Sequence, residues 1–148
     1  MHRGRVHALA FVLLSPFLIL AACSSNATSD RDVQLVTPVE ADDLLVAKRG
    51  VLGMKRDRVG VFVDARPAAA YRVEHIPGAI SLPYERARDE HEALRAYDVL
   101  IVYGESYDSP IAIGMSKTLS ELGHEGVRTL RGGLRAWTEA GRATEEGE

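Results

Sequence analysis

The chain has 148 residues, of which 46% are hydrophobic and 26% charged, with a formal net charge of −3. This length and composition are typical of one globular domain with an ordinary core. The weakly acidic balance argues against a nucleic-acid partner, and the single cysteine excludes a disulfide within the chain.

The N-terminus predicts a secretory signal peptide over residues 1–22. Arg3 and Arg5 precede a mostly apolar run over residues 8–20, which is too short to span a membrane. Removing this segment lowers the 18 basic residues by two, so that 16 face 21 acidic residues and the net charge becomes −5. The acidic mature chain again predicts no nucleic-acid partner.

The end of this segment, Leu20-Ala21-Ala22-Cys23, resembles a bacterial lipobox. The resemblance implies a diacylglycerol on the Cys23 thiol and an acyl chain on the new N-terminus. Two or more acyl chains hold a protein stably on a bilayer, so we expect the membrane to be a partner through this lipid. Ser24 follows the cysteine, which implies the cell envelope, at the outer membrane facing the periplasm where the cell has one. The alternative is an ordinary secretory signal with a chance cysteine.

The mature chain divides into three predicted parts. Residues 23–32 are rich in Ser, Asn, Thr and Asp and are expected to form a flexible tether. Residues 33–142 are expected to form the folded domain, and residues 143–148 an acidic tail with a frayed end.

Within the domain, apolar runs alternate with helix-like segments, which predicts an α/β fold with a parallel, doubly wound sheet. Two helix starts are marked: Thr37 and Glu40 form a capping box, and Ser109 precedes Pro110 as an N-cap. The predicted strands are residues 33–36, 59–65, 79–83, 99–103 and 127–130, and the predicted helices are residues 38–48, 67–73, 84–97, 110–122 and 134–140.

The loop between the fourth strand and the following helix is the expected position of a site. Ligands of open α/β sheets bind beyond the carboxyl ends of the strands, and a helix N-terminus favours an anion. This loop holds two acids and no Cys, His, Lys or Arg. Its residues are Gly104, Glu105, Ser106, Tyr107, Asp108 and Ser109.

Three motifs together resemble the rhodanese-like family of sulfurtransferase domains. They are Asp64-Ala65-Arg66 followed by Tyr71 and His75-Ile76-Pro77-Gly78, then Ile101-Val102-Tyr103 before the loop, and finally Gly132-Gly133-Leu134-Arg135-Ala136-Trp137. The match extends over residues 33–141. It implies a three-layer α/β domain whose parallel sheet has about five strands and helices on both faces.

The family's catalytic cysteine is replaced by Gly104. Active members hold a persulfide on a cysteine directly after the strand, and a basic residue often ends the loop, where this chain has Ser109. Two further departures precede the loop, since Ala70 and Glu74 stand where an acid and a glycine are usual. No loop side chain is a soft nucleophile that could carry sulfur. We therefore expect no catalytic residue and no cofactor.

Most other motif residues have a structural explanation. Asp64 is expected to hold its loop by accepting backbone hydrogen bonds, with catalysis as the alternative. Arg66 is expected to pair with a nearby acid rather than to bind an anion. His75 resembles the family's structural turn histidine, and Trp137 is expected in the core. The remaining motif residues are turn glycines: Gly78, Gly132 and Gly133.

The other candidate side chains differ in how strongly they indicate function. Tyr107 is expected to be an exposed loop aromatic, which indicates binding. Ser106 and Ser109 are nucleophiles only if a base lies beside them, and Ser109 is better explained as a helix cap. His91 and His124 are expected at the surface or at helix ends. No histidine has a partner at metal-ligand spacing, so no metal is predicted.

The expected function is that of a lipid-anchored, inactive rhodanese-like domain that binds or scaffolds a protein partner at the cell envelope. One alternative is a weak or atypical sulfurtransferase, or a hydrolase, that uses the loop 104–109. A further alternative is a structural envelope protein without a ligand site.

Membrane fractionation tests the anchor. The wild-type chain, expressed in a bacterium that processes lipoproteins, should be recovered with membranes and should carry lipid at Cys23 by mass spectrometry. Cys23→Ser should be released or remain unprocessed, because the acylated thiol is lost. Equal membrane association of both proteins, with normal processing, would contradict the lipoprotein assignment.

Overall fold

The computed structural model describes residues 29–45, 59–107 and 109–147, so Cys23 and residues 46–48 of the first predicted helix lie outside the described residues. All strand pairs are parallel, in the order β1-β5-β4-β2-β3, which confirms the predicted fold class. The strands are β1 Leu35–Val36, β2 Gly60–Asp64, β3 Ile80–Ser81, β4 Val99–Tyr103 and β5 Val127–Leu130, and the helices are α1 Pro38–Leu45, α2 Ala68–Val73, α3 Ala87–Glu90, α4 Pro110–Glu121 and α5 Gly133–Glu139.

The central strands β2 and β4 are buried because their sequences are almost wholly apolar. All five residues of β4 are buried, as expected for a parallel strand covered on both faces. The register pairs Gly60 with Val99 at one end and Asp64 with Tyr103 at the other. The last residues of both strands therefore lie side by side at the carboxyl edge of the sheet, where the parallel strands end.

Alternate residues of these strands enter two separate cores. Phe62 and Tyr103 face the side covered by α1, α2 and α5, where Phe62 meets Trp137 edge-on with ring centroids 5.1 Å apart. Val102 faces the other side and joins Met115 of α4. This alternation follows from the two-residue period of a strand, and it produces the predicted three layers.

The predicted helix over residues 84–97 is divided into three short pieces. Tyr84–Arg86 and His91–Ala96 are 3₁₀ turns on either side of α3. Both helix types place residues three or four apart on one face, so the spacing of the apolar residues could not distinguish them. The longest helix, α4, has 12 residues. Within the described ranges, no helix combines the length and apolar character needed to cross a bilayer.

Both ends of the described chain are attached to the domain. Residues predicted as tether form a 3₁₀ turn, Asp30–Asp32, which is capped by Ser29 and held by Lys117, whose Nζ lies 2.9 Å from an Asp30 carboxylate oxygen. In the predicted tail, Glu145 forms two backbone hydrogen bonds with His75, of 2.8 and 2.9 Å. The Thr144 hydroxyl adds a hydrogen bond of 2.9 Å to a Glu74 carboxylate oxygen, and the acidic sequence revealed neither contact.

His91 and His124 form a buried pair, which corrects their expected surface position. The alternative position at helix ends is confirmed, since His91 is the C-cap of α3 and His124 lies three residues after the end of α4. Their relative exposures are 9% and 8%, and His91 Nδ1 lies 3.0 Å from His124 Nε2. One ring must donate and the other accept, so at least one is neutral. Burial lowers the pKa of His124, with the charges of His91 and Arg95 as further causes. A pair from two distant segments leaves no sign in the local sequence.

The stability of the domain should therefore depend on pH near the histidine range. As pH falls below about 6.5, His124 becomes protonated in the unfolded chain but stays neutral in the folded chain, where its pKa is lowered. The free energy of unfolding should therefore decrease with falling pH until the pH reaches the lowered pKa. One proton accounts for at most about 1.4 kcal/mol per pH unit. Urea unfolding of wild type and His124→Gln between about pH 7 and 5.5 measures this. Equal pH slopes in the two proteins would contradict the assignment.

Candidate functional site

The candidate site lies at the carboxyl edge of the sheet, between the tip of β2 and the loop that follows β4. Asp64 ends β2, and Gly104 begins the loop directly after Tyr103. The backbone holds the two tips together, because Ala65 N–H donates to Tyr103 C=O at 3.0 Å. The strand-to-helix connection is thus where the sequence predicted a site.

A buried ion pair forms at the tip of β2. The Asp64 carboxylate is fully buried, and it accepts hydrogen bonds from the Arg66 backbone N–H at 2.9 Å and from Nη2 at 2.7 Å. Arg66 Nε adds contacts of 3.0 and 3.2 Å to the two carboxylate oxygens. Asp64 thus accepts a backbone hydrogen bond, as predicted, and also accepts hydrogen bonds from Nε and Nη2 of the Arg66 guanidinium.

Arg66 also reaches two other segments. Its Nη2 donates to the Glu74 carbonyl at 2.6 Å, and its Nη1 donates to Glu105 Oε2 at 2.7 Å. Burial opposes the charge on Arg66, but the hydrogen bonds to Asp64 and Glu105 outweigh it and raise the pKa of the guanidinium. The prediction that Arg66 pairs with a nearby acid is confirmed.

Two tyrosines and one histidine also belong to the candidate site. Burial, with the negative charge of Asp64, raises the pKa of Tyr103, whose hydroxyl accepts a hydrogen bond from Ile76 N–H at 3.2 Å. The His75 ring stacks on Tyr71 with centroids 3.8 Å apart, and its Nδ1 lies 2.9 Å from the Tyr71 carbonyl. His75 therefore has the predicted structural role, and Gly78 forms the following turn with a φ of 72°.

The Ser109 side chain fills the space beside Gly104. A Cβ atom built on Gly104 would lie 2.1 Å from Ser109 Oγ and 2.7 Å from Ser109 Cβ, and 3.4 Å from Ala112 Cβ. Gly104 has no positive φ, so its backbone accepts other residues and the obstruction is steric. Any side chain at position 104 would have to displace Ser109.

The N-terminus of α5 holds the loop through its backbone amides. Leu134 N–H donates to Gly104 C=O at 2.9 Å, and Arg135 N–H donates to Glu105 C=O at 3.0 Å. The chains approach so closely that a Cβ on Gly133 would lie 2.3 Å from the Gly104 oxygen. These amides are therefore used by the protein itself, which reduces their value for an external anion.

Tyr107 is half exposed, as predicted, with a relative exposure of 51%. Its ring lies against Gly132, where a Cβ would meet ring atoms at 2.7 and 2.8 Å. Its hydroxyl donates to Glu139 at 3.4 Å. The predicted core position of Trp137 is also confirmed, and its indole N–H donates to the Ala143 carbonyl at 2.8 Å.

The hydroxyls of the loop lack a base within the described residues. Ser109 occupies the N-cap position of α4 with Pro110 at the start of the helix, but its side chain makes no capping hydrogen bond. In that part of the chain neither the Ser106 nor the Ser109 hydroxyl makes a hydrogen bond to a histidine or a carboxylate, and Asp108 lies outside it. The same residues contain no group of three or more His, Cys, Asp or Glu suited to a metal ion.

Two cavities flank the loop. One, of about 390 Å³, opens toward α5 and is called here the loop cleft; it is lined by Glu74, Glu105, Ser106, Leu134, Arg135 and Thr138. The other, of about 110 Å³, lies toward β1 and β5 and is lined in part by Leu35, Ser109 and Arg131. The acid at position 105 thus faces the loop cleft while it is bound to Arg66.

Two features of this site were missed by sequence reasoning. The loop was read as acidic, but the partner of Glu105 is 39 residues earlier in the chain. Ser109 was read as a cap, but its side chain lies against Gly104. The sequence offered one signal for this contact, a glycine followed five positions later by a small residue.

The model of the Rhodanese-like domain matches residues 48–140. This chain therefore belongs to the rhodanese-like domain family.

The HTH-type transcriptional regulator Rv0324 of Mycobacterium tuberculosis is 28% identical to it over 128 residues, which cover 78% of this chain and 56% of that protein. The adenylyltransferase and sulfurtransferase MOCS3 of Drosophila virilis is 26% identical over 125 residues, or 78% of this chain and 26% of that protein. The chain thus spans about half of the first relative and about a quarter of the second.

Solved structures show the same fold. A thiosulfate sulfurtransferase from Pseudomonas aeruginosa is 27% identical with a TM-score of 0.63, over 80% of this chain and 21% of that one. The BH2092 protein from Bacillus halodurans is 25% identical with a TM-score of 0.60, over 78% of this chain and 79% of that one. The rhodanese-like fold is thus shared with proteins of different size.

A double-mutant cycle tests the contact between positions 104 and 109. Gly104→Ala should destabilise the wild type by about 1–3 kcal/mol, because the new Cβ overlaps Ser109. In a Ser109→Gly background the same change should be neutral, or should stabilise by about 0.4–1 kcal/mol through the unfolded state. Urea unfolding of the four proteins gives both values. An equal cost in the two backgrounds would show that Ser109 does not fill this space.

Proposed function

We propose that this chain is a lipid-anchored rhodanese-like domain that transfers no sulfur and acts as a binding or scaffold module at the cell envelope. The observation that carries the proposal is Gly104, at the position where active members of the family have their cysteine. Without a thiolate there is no group to hold a persulfide between the two halves of a transfer reaction.

The surroundings of Gly104 support this proposal. The space for a side chain is taken by Ser109, and the Gly104 and Glu105 carbonyls are bound by amides of α5. The amides of Leu134 and Arg135 thus hold the loop in place through its carbonyls, and a fixed loop suits a rigid binding surface.

The rival proposals have less support. Hydrolysis by Ser106 or Ser109 requires a neighbouring base, and among the described residues no histidine or carboxylate is hydrogen-bonded to either hydroxyl. An atypical sulfurtransferase would have to hold sulfur without a covalent bond. The relatives do not decide between functions, because one is named as a transcriptional regulator and another as a sulfurtransferase.

The anchor rests on the resemblance of residues 20–23 to a lipobox. The cysteine used for the anchor is the only cysteine of the chain. Lipidation of Cys23 would leave the mature protein without a free thiol, and this agrees with a role that needs no thiol chemistry.

A sulfur-transfer assay tests the absence of activity. The purified full chain and its Cys23→Ser variant should form no thiocyanate from thiosulfate and cyanide, and no product from mercaptopyruvate, above a heat-denatured sample. The thiosulfate sulfurtransferase of Pseudomonas aeruginosa is the positive control. Turnover that is lost in Ser106→Ala or Ser109→Ala would overturn the proposal and favour an enzyme that uses the loop.

A further inference from the structure

One nitrogen of the buried Arg66 guanidinium is held only by an exposed side chain. Nε and Nη2 are engaged by Asp64, which is fully buried, and by the Glu74 carbonyl. In the described part of the chain, Nη1 donates only to Glu105, whose side chain is 71% exposed. Nη1 carries two N–H groups, so it has capacity for a further acceptor.

The position of Glu105 makes it replaceable. Its carboxylate accepts the hydrogen bond from Nη1, and the same residue lines the loop cleft of about 390 Å³. An ion pair with a solvated partner is weak, and its exposed member gains rotamer freedom on release. If Glu105 rotates into solvent, Nη1 faces the cleft, and Asp64 still fixes the rest of the guanidinium.

We propose that Nη1 of Arg66 is a binding site for an external carboxylate, which Glu105 occupies from within the chain when no ligand is bound. The ligand would replace the Glu105 oxygen in a charge-assisted hydrogen bond. Arg135 and the Ser106 hydroxyl, both at the cleft, supply further donors for it. This inference rests on the proposed binding role, for which it names the class of ligand.

The charges around the cleft favour a carboxylate over a phosphate. Glu74 lines the cleft, and the displaced Glu105 stays beside it. Both repel a second negative charge on the ligand, and their cost rises with the charge of the anion. The internal occupant is itself a monoanionic carboxylate, so the site already accommodates this group in size and geometry.

An internal occupant lowers the apparent affinity for the ligand, because only the fraction of molecules with Glu105 released can bind. Removing Glu105 should therefore strengthen binding. Loss of an ordinary contact residue weakens binding, so the direction of the change distinguishes the two roles.

The test is a titration of the full chain in detergent, followed by NMR. The probes are acetate, acetyl-tetra-alanine with a free C-terminal carboxylate, and the same peptide with an amidated C-terminus. Binding should shift the side-chain Nε–H signal of Arg66 and the amide signals of Leu134 and Arg135. Glu105→Ala should bind at least one of the two carboxylate probes up to about fivefold tighter than wild type, the range of an exposed ion pair.

Glu125→Ala is the matched control, because it makes the same change of charge in an exposed turn before β5, at the opposite edge of the sheet. It should bind the probes as the wild type does. Tighter binding of acetate would indicate a small-molecule acid, and tighter binding of the free peptide a polypeptide C-terminus; both support the inference. The amidated peptide should produce no shift.

The inference is overturned if Glu105→Ala binds neither carboxylate more tightly than the wild type and Glu125→Ala do, or if the amidated peptide binds as well as the free one. Such a result with no sulfur transfer would leave the proposed function intact. Sulfur-transfer turnover would overturn the proposed function whatever the titration shows. The exposure of Glu105 means that Glu105→Ala should fold, and thermal unfolding checks this.

Discussion

The geometry of the carboxyl edge depends on the buried ion pair between Asp64 and Arg66. It joins the tip of β2 to the segment after α2, through the Glu74 carbonyl, and to the loop after β4, through Glu105. Breaking a buried ion pair by removing one partner costs about 3–5 kcal/mol, because the other charge stays buried. Segments around positions 66, 74 and 105 thus share one guanidinium, and the pair with Asp64 holds that guanidinium in place for the other two contacts.

The loop after β4 has no side chain at Gly104 and is held by contacts with Ser109 and with α5. Without a Cβ at Gly104, Ser109 lies close to the strand end, and the loop carbonyls reach the amides of α5. That approach requires glycine at position 133, since a Cβ there would overlap the Gly104 oxygen. The positive end of the α5 dipole is thus used to hold the loop. The loop after β4 is therefore fixed through its carbonyls by two amides at the start of α5.

The sequence predicted the layers of the fold more completely than the contacts of the site. Runs such as Val99–Tyr103 encode a buried parallel strand in their own composition, and the Thr37–Glu40 capping box marks its helix locally, as its hydrogen bonds of 2.8 and 3.3 Å confirm. The His91–His124 pair and the link between Arg66 and Glu105 join residues 33 and 39 positions apart. Such pairs depend on how elements meet in space, which one sequence without its fold does not contain.

The same limit applies to the chain ends. Glu145 and Gly147 are attached through backbone groups, to His75 and Arg72 respectively. A backbone hydrogen bond is open to almost any residue, so a string of acids and glycines gave no indication of it. Tyr107, in contrast, was predicted correctly because an aromatic residue in a short polar loop has little apolar surface nearby to cover it.

The turn at Asp30–Asp32 also limits how far an anchored domain would stand from a bilayer. It precedes β1 and is held by Lys117 of α4, and β1 pairs with the last two residues of β5, so this attachment lies within a few residues of the carboxyl edge. Six residue steps separate Ser29 from Cys23, and an extended chain covers about 3.6 Å per step, or roughly 20 Å in all. In the proposed anchored state this length would keep the β1 side of the domain within roughly 20 Å of the lipid headgroups. A partner confined to the membrane plane would therefore be within reach of the sheet edge that β1 forms.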